Sequence, residues 1–481
     1  MTLFDTIKAK AADLIAVDHQ GAEPTPLREG RTPFAGFAVD EKTGNPIGLA
    51  PCGPHLLVLA GSGAGKSRRV LVPQILTWDG PVCAVSAKSD LAEMSAGHRA
   101  HRGGQQYVMD LTGQADWSQL PEGMIRVVND PCALLVPDAD GSTDDSAMDL
   151  ATLLTQVGTL GTGGGQGSGG DSAFWMTLAL GTLACLIQAG GWYPDPMTDE
   201  PIWGGGISWV LRAALDPGTD DDADSDELDL DTPSWDVAAL RGDLLDSSHV
   251  AEIESTKLLD PKQRDSVGIN LRVALSSWKK RSVRGDGSEQ PFTPTLLEDP
   301  AATLYLVSPS SGTAAGAAAS VIEAIVSHWT LNAIRQGLPK IAMVIDEAPQ
   351  ICPLPRLREH IGLMRSYGCH FTVAAQHSTQ FKARFGEAES EALLQVFLGT
   401  GVLIGVGAIE KDILEQAAWT EPPTERQVSS WDAAGRESRS ADRVELHGAE
   451  LLPRHQGEGR LLVRGRKGSL VRLVDYTEMI A

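Results

Sequence analysis

One stretch constrains this chain more than any other: Leu56-Leu57-Val58-Leu59-Ala60-Gly61-Ser62-Gly63-Ala64-Gly65-Lys66-Ser67. A short apolar run with the length of a buried strand enters a glycine-rich turn that ends in Gly-Lys-Ser. This is the phosphate-binding pattern G-x-x-x-x-G-K-[ST], with Ala60 in place of the first glycine. The chemistry explains the residue types. Gly61, Gly63 and Gly65 are free to take positive φ, so successive backbone N–H groups can wrap a phosphate. Lys66 is expected to reach the β and γ phosphates, and Ser67 to offer its hydroxyl to Mg²⁺. Ser62, Ala64 and Arg68 complete the expected cradle for ATP. The segment Arg68 to Leu76 reads as a helix whose N-terminal dipole faces the anion.

A second apolar run, Ile341 to Ile345, ends in Asp346-Glu347. Carboxylates at the C-terminal end of a buried parallel strand face the crevice in which α/β proteins bind ligands. Asp346 is expected to hold Mg²⁺ through its water shell, opposite Ser67. Glu347 is expected to accept a proton from the attacking water, or to orient it. The next apolar run, Phe371 to Ala375, ends in Gln376. An amide there can sense a γ-phosphate or position water; a bond to nearby loop backbone is the plainer alternative. Arg356, Arg358 and Arg365 lie between these two strands. Each reads either as a partner in a surface ion pair or as an arginine delivered to a neighbouring subunit's site.

Strand and helix signals alternate around both motifs: His55 to Leu59, Arg68 to Thr77, Val82 to Ser86, Asp90 to Arg102, and Gln106 to Met109. They resume with Thr303 to Val307, the Ala-rich Ala314 to Arg335, the two strands named above, and Gly401 to Val406. This predicts a parallel sheet covered by helices. Arg460 to Arg464 and Ser469 to Val474 close the chain as a hairpin. Between the two halves, Met148 to Trp278 reads as helical throughout, with loops at Gly161 to Gly170 and at the acidic run Asp220 to Asp231. The expected organisation is an N-terminal helix and extended arm at 1–47, a nucleotide-binding domain at 48–138 and 291–481, and an all-α insert at 139–290.

The net charge of −23 excludes a general nucleic-acid coat protein, but not a motor with a locally basic channel. Lys279, Lys280, Arg281 and Arg284 are the densest basic cluster and the candidates for phosphate contacts. The six scattered cysteines read as buried, reduced thiols. Ser172 to Pro194 carries no charge and could by length span a bilayer. Its threonines, glutamine and glycines favour a buried core helix. Met1 to Val17 is charged throughout, so it does not read as a signal peptide.

Taken together, these residues resemble the type IV secretion coupling proteins, the TraG/TraD-like conjugation ATPases. The resemblance is carried by the phosphate loop with Val70-Leu71-Val72-Pro73 after it, and by Phe174-Trp175 opening an apolar helix. Arg264 to Ser276, Thr303 to Pro309, Asp346-Glu347-Ala348-Pro349, Tyr367-Gly368 before Gln376, and Leu461 to Gly465 also carry it. Ala87-Lys88-Ser89-Asp90 departs from the family's Asp-x-Lys-Gly-Glu element and receives no role. The resemblance implies a RecA-like P-loop NTPase domain with an inserted all-α domain. It further implies a homo-hexameric ATP-driven motor that brings single-stranded DNA and its bound relaxase to a type IV secretion channel, with Arg365 acting in trans. Family members typically begin with transmembrane helices, and none reads out of Met1 to Leu49. That implies a cytoplasmic protein, either a soluble variant or one peripheral at the inner face of the membrane through a separate anchoring partner. A substrate receptor that uses ATP as an assembly switch, and a motor that moves protein or double-stranded DNA, are the alternatives.

Overall fold

The structure, a computed structural model, describes residues 32–41, 43–138, 140–161, 170–218, 229–310, 314–431, 437–464 and 466–480. The N-terminal helix expected at Leu3 to Val17, most of the glycine-rich loop and most of the acidic run lie outside them. The strands, in chain order, are β1 (Phe37–Val39), β2 (Pro46–Leu49), β3 (Leu56–Leu59), β4 (Val82–Ser86), β5 (Gln106–Asp110) and β6 (Ile125–Val128). They continue with β7 (Trp192–Pro194), β8 (Pro201–Trp203), β9 (Gln290–Pro291), β10 (Thr303–Val307), β11 (Ile341–Ile345) and β12 (Cys369–Ala375). The last five are β13 (Val402–Gly405), β14 (Thr424–Trp431), β15 (Glu437–Val444), β16 (Glu458–Val463) and β17 (Arg466–Arg472).

Thirteen of these form one sheet in the order β2-β1-β17-β16-β13-β3-β12-β11-β4-β10-β5-β6-β9. From β13 to β9 every pairing is parallel. The central strands are buried at every position because helices cover both faces, and β3 and β11 are wholly apolar. Successive side chains point to opposite sides, and the packing divides accordingly. Leu57, Leu59, Cys83, Val85, Met343 and Ile345 enter one core. Leu56, Val58, Val82, Ala84, Ala342 and Val344 enter the other. β12 lies between the phosphate-loop strand β3 and the carboxylate strand β11.

The expected α/β class is the observed one. Three local expectations are corrected. Residues 37–49 are not an extended arm: β1 and β2 add to the sheet because β17 would otherwise be an unpaired edge. The insert is not all-α. The antiparallel hairpin β7–β8 interrupts its helices, and Trp192 to Pro194 therefore leaves the helix Gly170–Gly190. Buried Arg241 fixes this hairpin. It donates to the carbonyls of Ala189 and Gly204 at 2.7 and 2.8 Å, and its guanidinium lies 4.5 Å from the ring of Tyr193 and 4.4 Å from that of Trp209. The closing hairpin is present, but Arg466 to Gly468, expected in its turn, belong to its second strand, which begins at Arg466.

The insert does not hang free. Its apolar helix faces share one continuous core with the sheet, through Leu150, Leu153, Leu186 and Ile187 packed with Ala317, Val321 and Ile325. Gly316 makes the approach possible, since a Cβ there would stand 2.6 Å from Val157. All six cysteines are free thiols, five of them buried. No helix among the described residues is long and apolar enough to cross a membrane.

Candidate functional site

The site is built where β3, β12 and β11 end side by side. Leu59 pairs with Ala375, and Ile345 pairs with Val373, so Ala60, Gln376 and Asp346 leave the sheet at neighbouring positions. The phosphate loop turns on Gly63 and Gly65, whose φ angles are +74° and +86°. Gly61 is different: its φ is not positive, and its need for glycine is steric. A Cβ there would stand 3.2 Å from the Gly407 backbone, which packs against the loop from beyond β13.

The helix after the loop opens as a π-helical turn at Ser67–Leu71 and becomes α-helical over Val72–Thr77. Val72 donates to the Ser67 carbonyl five residues back. Pro73 has no N–H to give to the carbonyl four residues earlier, and the wider turn accommodates its ring.

Three contacts assemble the predicted residues. Ser67 Oγ donates to Asp346 Oδ2 at 3.1 Å. Lys66 Nζ donates to the Ala60 carbonyl at 2.9 Å and stands 3.2 Å from Glu347 Oε1. Glu347 Oε2 is buried without a hydrogen-bond partner. Burial, reinforced by the Glu347 charge, pushes the Asp346 carboxyl up to about 6, against the pull of Lys66 and Ser67. This oxygen-only pair of hydroxyl and carboxylate suits a hard divalent cation such as Mg²⁺. The orphaned Glu347 oxygen and the Lys66 ammonium suit a phosphate chain and a water beside it. The residues present therefore fit Mg-ATP.

Gln376 is half-buried at the end of β12, and its backbone N–H bonds to Gln380 Oε1 at 2.8 Å. The Arg68 side chain does not join the cradle: it binds Asp475 in two parallel bonds of 2.8 Å and lies 4.8 Å from the Tyr476 ring centre. Only its backbone remains for the expected contact.

Of the three arginines, Arg356 pairs with Glu323 at 2.7 Å and Arg358 with Glu389 at 2.8 Å. Arg365 is exposed, and among the described residues no carboxylate stands within ion-pair distance of it. It lies at the opposite end of β12 from Gln376, so it does not converge on the site of its own chain. In the basic cluster, Arg281 pairs with Asp286 at 3.1 Å, and Arg284 donates to the carbonyls of Trp278 and Lys279. Lys279 and Lys280 are exposed.

Sequence reasoning missed Asp90. It sits at the start of the helix Asp90–Ala100, accepts from Ser86 Oγ at 2.9 Å, and lies close enough to Asp346 to raise that carboxyl. Its signal was an acid just after an apolar strand, the same cue that exposed Asp346. The tie between Arg68 and Asp475 was also missed, and no local pattern announces it.

Residues 340–415 match the family described as the TraM recognition site of TraD and TraG. Residues 13–116 match the family described as type IV secretory system conjugative DNA transfer. No curated protein matches the chain. Among solved structures, it is 15% identical to the bacterial conjugative coupling protein TrwBΔN70 in its unbound form, with 93% of this chain and 89% of that one covered and a TM-score of 0.49. TrwB in complex with the non-hydrolysable ATP analogue ADPNP gives 15% identity, 88% and 86% coverage and a TM-score of 0.48. VirB4 of Thermoanaerobacter pseudethanolicus gives 16% identity, 95% and 100% coverage and a TM-score of 0.47. The two family matches cover the phosphate loop and the carboxylate strand, so both halves of the site lie within matched segments.

Proposed function

We propose that this coupling-protein-like chain is a Mg-ATP-dependent ATPase that recruits single-stranded DNA with its bound relaxase and moves it to a type IV secretion channel. The observation that carries the reading is the convergence of Lys66, Ser67, Asp346 and Glu347 within 3.2 Å contacts at the ends of neighbouring strands. Mg-ATP, when bound, supplies the phosphoanhydride whose hydrolysis drives the cycle. Gly63 and Gly65 present backbone N–H groups to the phosphates, and Lys66 neutralises their charge. Ser67 and Asp346 hold the cation. Glu347 uses its unpaired oxygen to orient a water and take its proton. Gln376, between the two motifs, reports the γ-phosphate to β12. Arg365 serves the neighbouring subunit of a homo-hexameric ring. The insert recognises the substrate, and Lys279 and Lys280 are the basic residues left for DNA phosphates.

The test separates binding from turnover. Lys66→Ala is expected to lose ATP binding. Glu347→Gln is expected to bind ATP normally while turnover falls by about 10² to 10⁴, the usual contribution of a general base. Wild-type turnover in Glu347→Gln would remove the catalytic assignment. Single-stranded DNA is expected to raise wild-type turnover; ATPase activity indifferent to DNA would favour the assembly-switch alternative.

A further inference from the structure

A second concave site lies away from the nucleotide site. It is a cavity of about 490 Å³ between the helices Asp144–Gly161, Ala315–Gln336 and Leu357–Leu363. Leu153, Val326, Leu331, Leu363 and Met364 give it an apolar side, and polar side chains such as Thr152, Gln156 and Thr330 line much of the rest. At its base the buried Glu323 carboxylate accepts from Arg356 at 2.7 Å and meets His360 Nε2 at 2.8 Å. The cavity's one arginine is therefore already neutralised. Around the lining stand four further carboxylates, Asp138, Asp145, Asp149 and Glu359. None of the four has an ion-pair partner among the described residues, and the last three are exposed.

The apolar surface continues past the cavity. Leu363 is 62% exposed, and Ile334, one turn beyond Leu331 on the same helix face, is 75% exposed. An apolar floor with unpaired acids beside it is complementary to a chain segment that carries both large apolar and cationic side chains. A small amine would satisfy the acids and leave Ile334 and Leu363 in water. A segment that runs out of the cavity along the helix covers both.

We propose that this cavity and the apolar strip beside it form a docking site for a basic, amphipathic polypeptide segment of a protein partner. The acids provide attraction and register, and burial of Leu331, Ile334 and Leu363 provides most of the affinity. The proposal does not depend on the nucleotide chemistry assigned above.

The probe is a short fluorescent peptide of leucine and lysine patterned as an amphipathic helix, with fluorescence anisotropy read on the full chain at about 50 mM and about 500 mM salt. Saturable binding that weakens at high salt is expected, with no binding of the leucine–glutamate counterpart. The triple variant Asp145→Asn, Asp149→Asn, Glu359→Gln and the separate variant Leu363→Ser are each expected to weaken binding about tenfold. All four positions are exposed, so the fold tolerates the changes. Because the whole chain is acidic, the control makes Glu122→Gln, Asp265→Asn and Asp412→Asn, three exposed acids outside the cavity lining, which changes net charge equally and is expected to leave affinity unchanged. Equal loss in the control would overturn the proposal, as would unaltered binding in the triple variant. Spermidine displacing the peptide with no effect of Leu363→Ser would make this a polyamine site instead. A change in the peptide-free chain's oligomeric state on Leu363→Ser would make the strip a contact between copies, and would equally overturn the proposal.

Discussion

Glu347 holds the left-handed backbone conformation, φ 45° and ψ 43°, which costs a residue with a Cβ about 1–2 kcal/mol. The strain falls on the residue that contacts Lys66 and keeps one carboxylate oxygen unpaired. Two carboxylate-free variants isolate it: Glu347→Gly should unfold at higher urea than Glu347→Ala by about 1 kcal/mol, although glycine normally destabilises. The reverse order would mean the turn carries no strain. A second residue-scale consequence concerns His55 and His370, side by side at the N-terminal ends of β3 and β12. Phe371 N–H donates to His55 Nδ1 at 3.1 Å, His370 Nδ1 bonds the Pro54 carbonyl at 2.9 Å, and both Nε2 atoms are buried without partners. Burial first, then the neighbouring positive groups, lowers His55 to about 3; burial first, with Lys340 and Arg365 adding to it, lowers His370 to about 4. The unfolded chain takes up these protons near pH 6.5, the folded chain only near 3 to 4. Their stabilisation is thus complete above 6.5 and is lost as pH falls, by about 2 kcal/mol each at pH 5. Asp130 and Asp346, both raised to about 6, work in the opposite direction, because the folded chain protonates first. The net slope is therefore shallow, and the informative measurement is differential. His370→Gln should remove about one proton from the pH dependence of urea stability between pH 6.5 and 4.5. An unchanged slope would show that His370 takes up its proton as readily in the folded chain as in the unfolded one.

The last elements of the chain brace the first turn after the phosphate loop. Arg69 donates to the Leu473 carbonyl at 2.8 Å, Arg68 binds Asp475, and the helix Tyr476–Ile480 buries Met479 with Phe34, Phe37 and Val474. Two kinds of contact hold this brace, and their magnitudes differ. The Arg68 side chain is 48% exposed, so water screens its pair, and Arg68→Ala should cost at most about 1 kcal/mol. Met479→Ala leaves an apolar cavity and should cost about 2–4 kcal/mol. Thermal melts of the two variants test the order; a larger loss from Arg68→Ala would make the brace electrostatic. These elements also show what the amino-acid order does and does not reveal. β3 and β11 are uninterrupted apolar runs, β4, β10 and β12 are apolar at most positions, and all five are buried on both faces; such runs have few other uses in a chain this long. Asp346 was legible because it ends such a run opposite a glycine-rich loop. Arg68 and Asp475, in contrast, are 407 residues apart, and an exposed aspartate has no local signature of its partner. β9 spans two residues and joins the sheet only because β6 offers an edge. β14 reads Thr-Glu-Arg-Gln-Val-Ser-Ser-Trp, without the apolar alternation that marks a half-buried strand. Buried Arg99 and Arg241 sit at core positions where composition predicts apolar side chains, and their carbonyl partners, with the Thr303 hydroxyl at Arg99 and the Tyr193 and Trp209 rings at Arg241, explain them.

At the scale of the whole molecule, one residue is out of place for a single chain. Arg365 precedes β12, while Gln376 follows it. Cys369 to Ala375 alone spans roughly 20 Å at about 3.3 Å per residue. An arginine side chain cannot cover that distance, so Arg365 cannot reach the phosphate loop of its own subunit. Arg356 and Arg358 are held by Glu323 and Glu389, which leaves Arg365 as the exposed guanidinium of the three without a carboxylate. If it takes part in hydrolysis, it does so from the neighbouring subunit of a ring. A trans-acting arginine in a phosphoryl-transfer site contributes about 10³ to 10⁵ in rate. It acts on charge that develops in the transition state, so ATP binding should barely change in Arg365→Ala while turnover falls by that order. The two sites then differ in where each defect lies. Glu347→Gln spoils the site of the subunit that carries it, whereas Arg365→Ala spoils the site next door. In rings that mix the two variants, some interfaces join an intact Glu347 to an intact Arg365, and turnover should reappear, rising to a maximum at intermediate mixing ratios. Rings shown to be mixed that stay inactive at every ratio would place Arg365 outside the hydrolytic site and leave the sheet's far edge without a catalytic part.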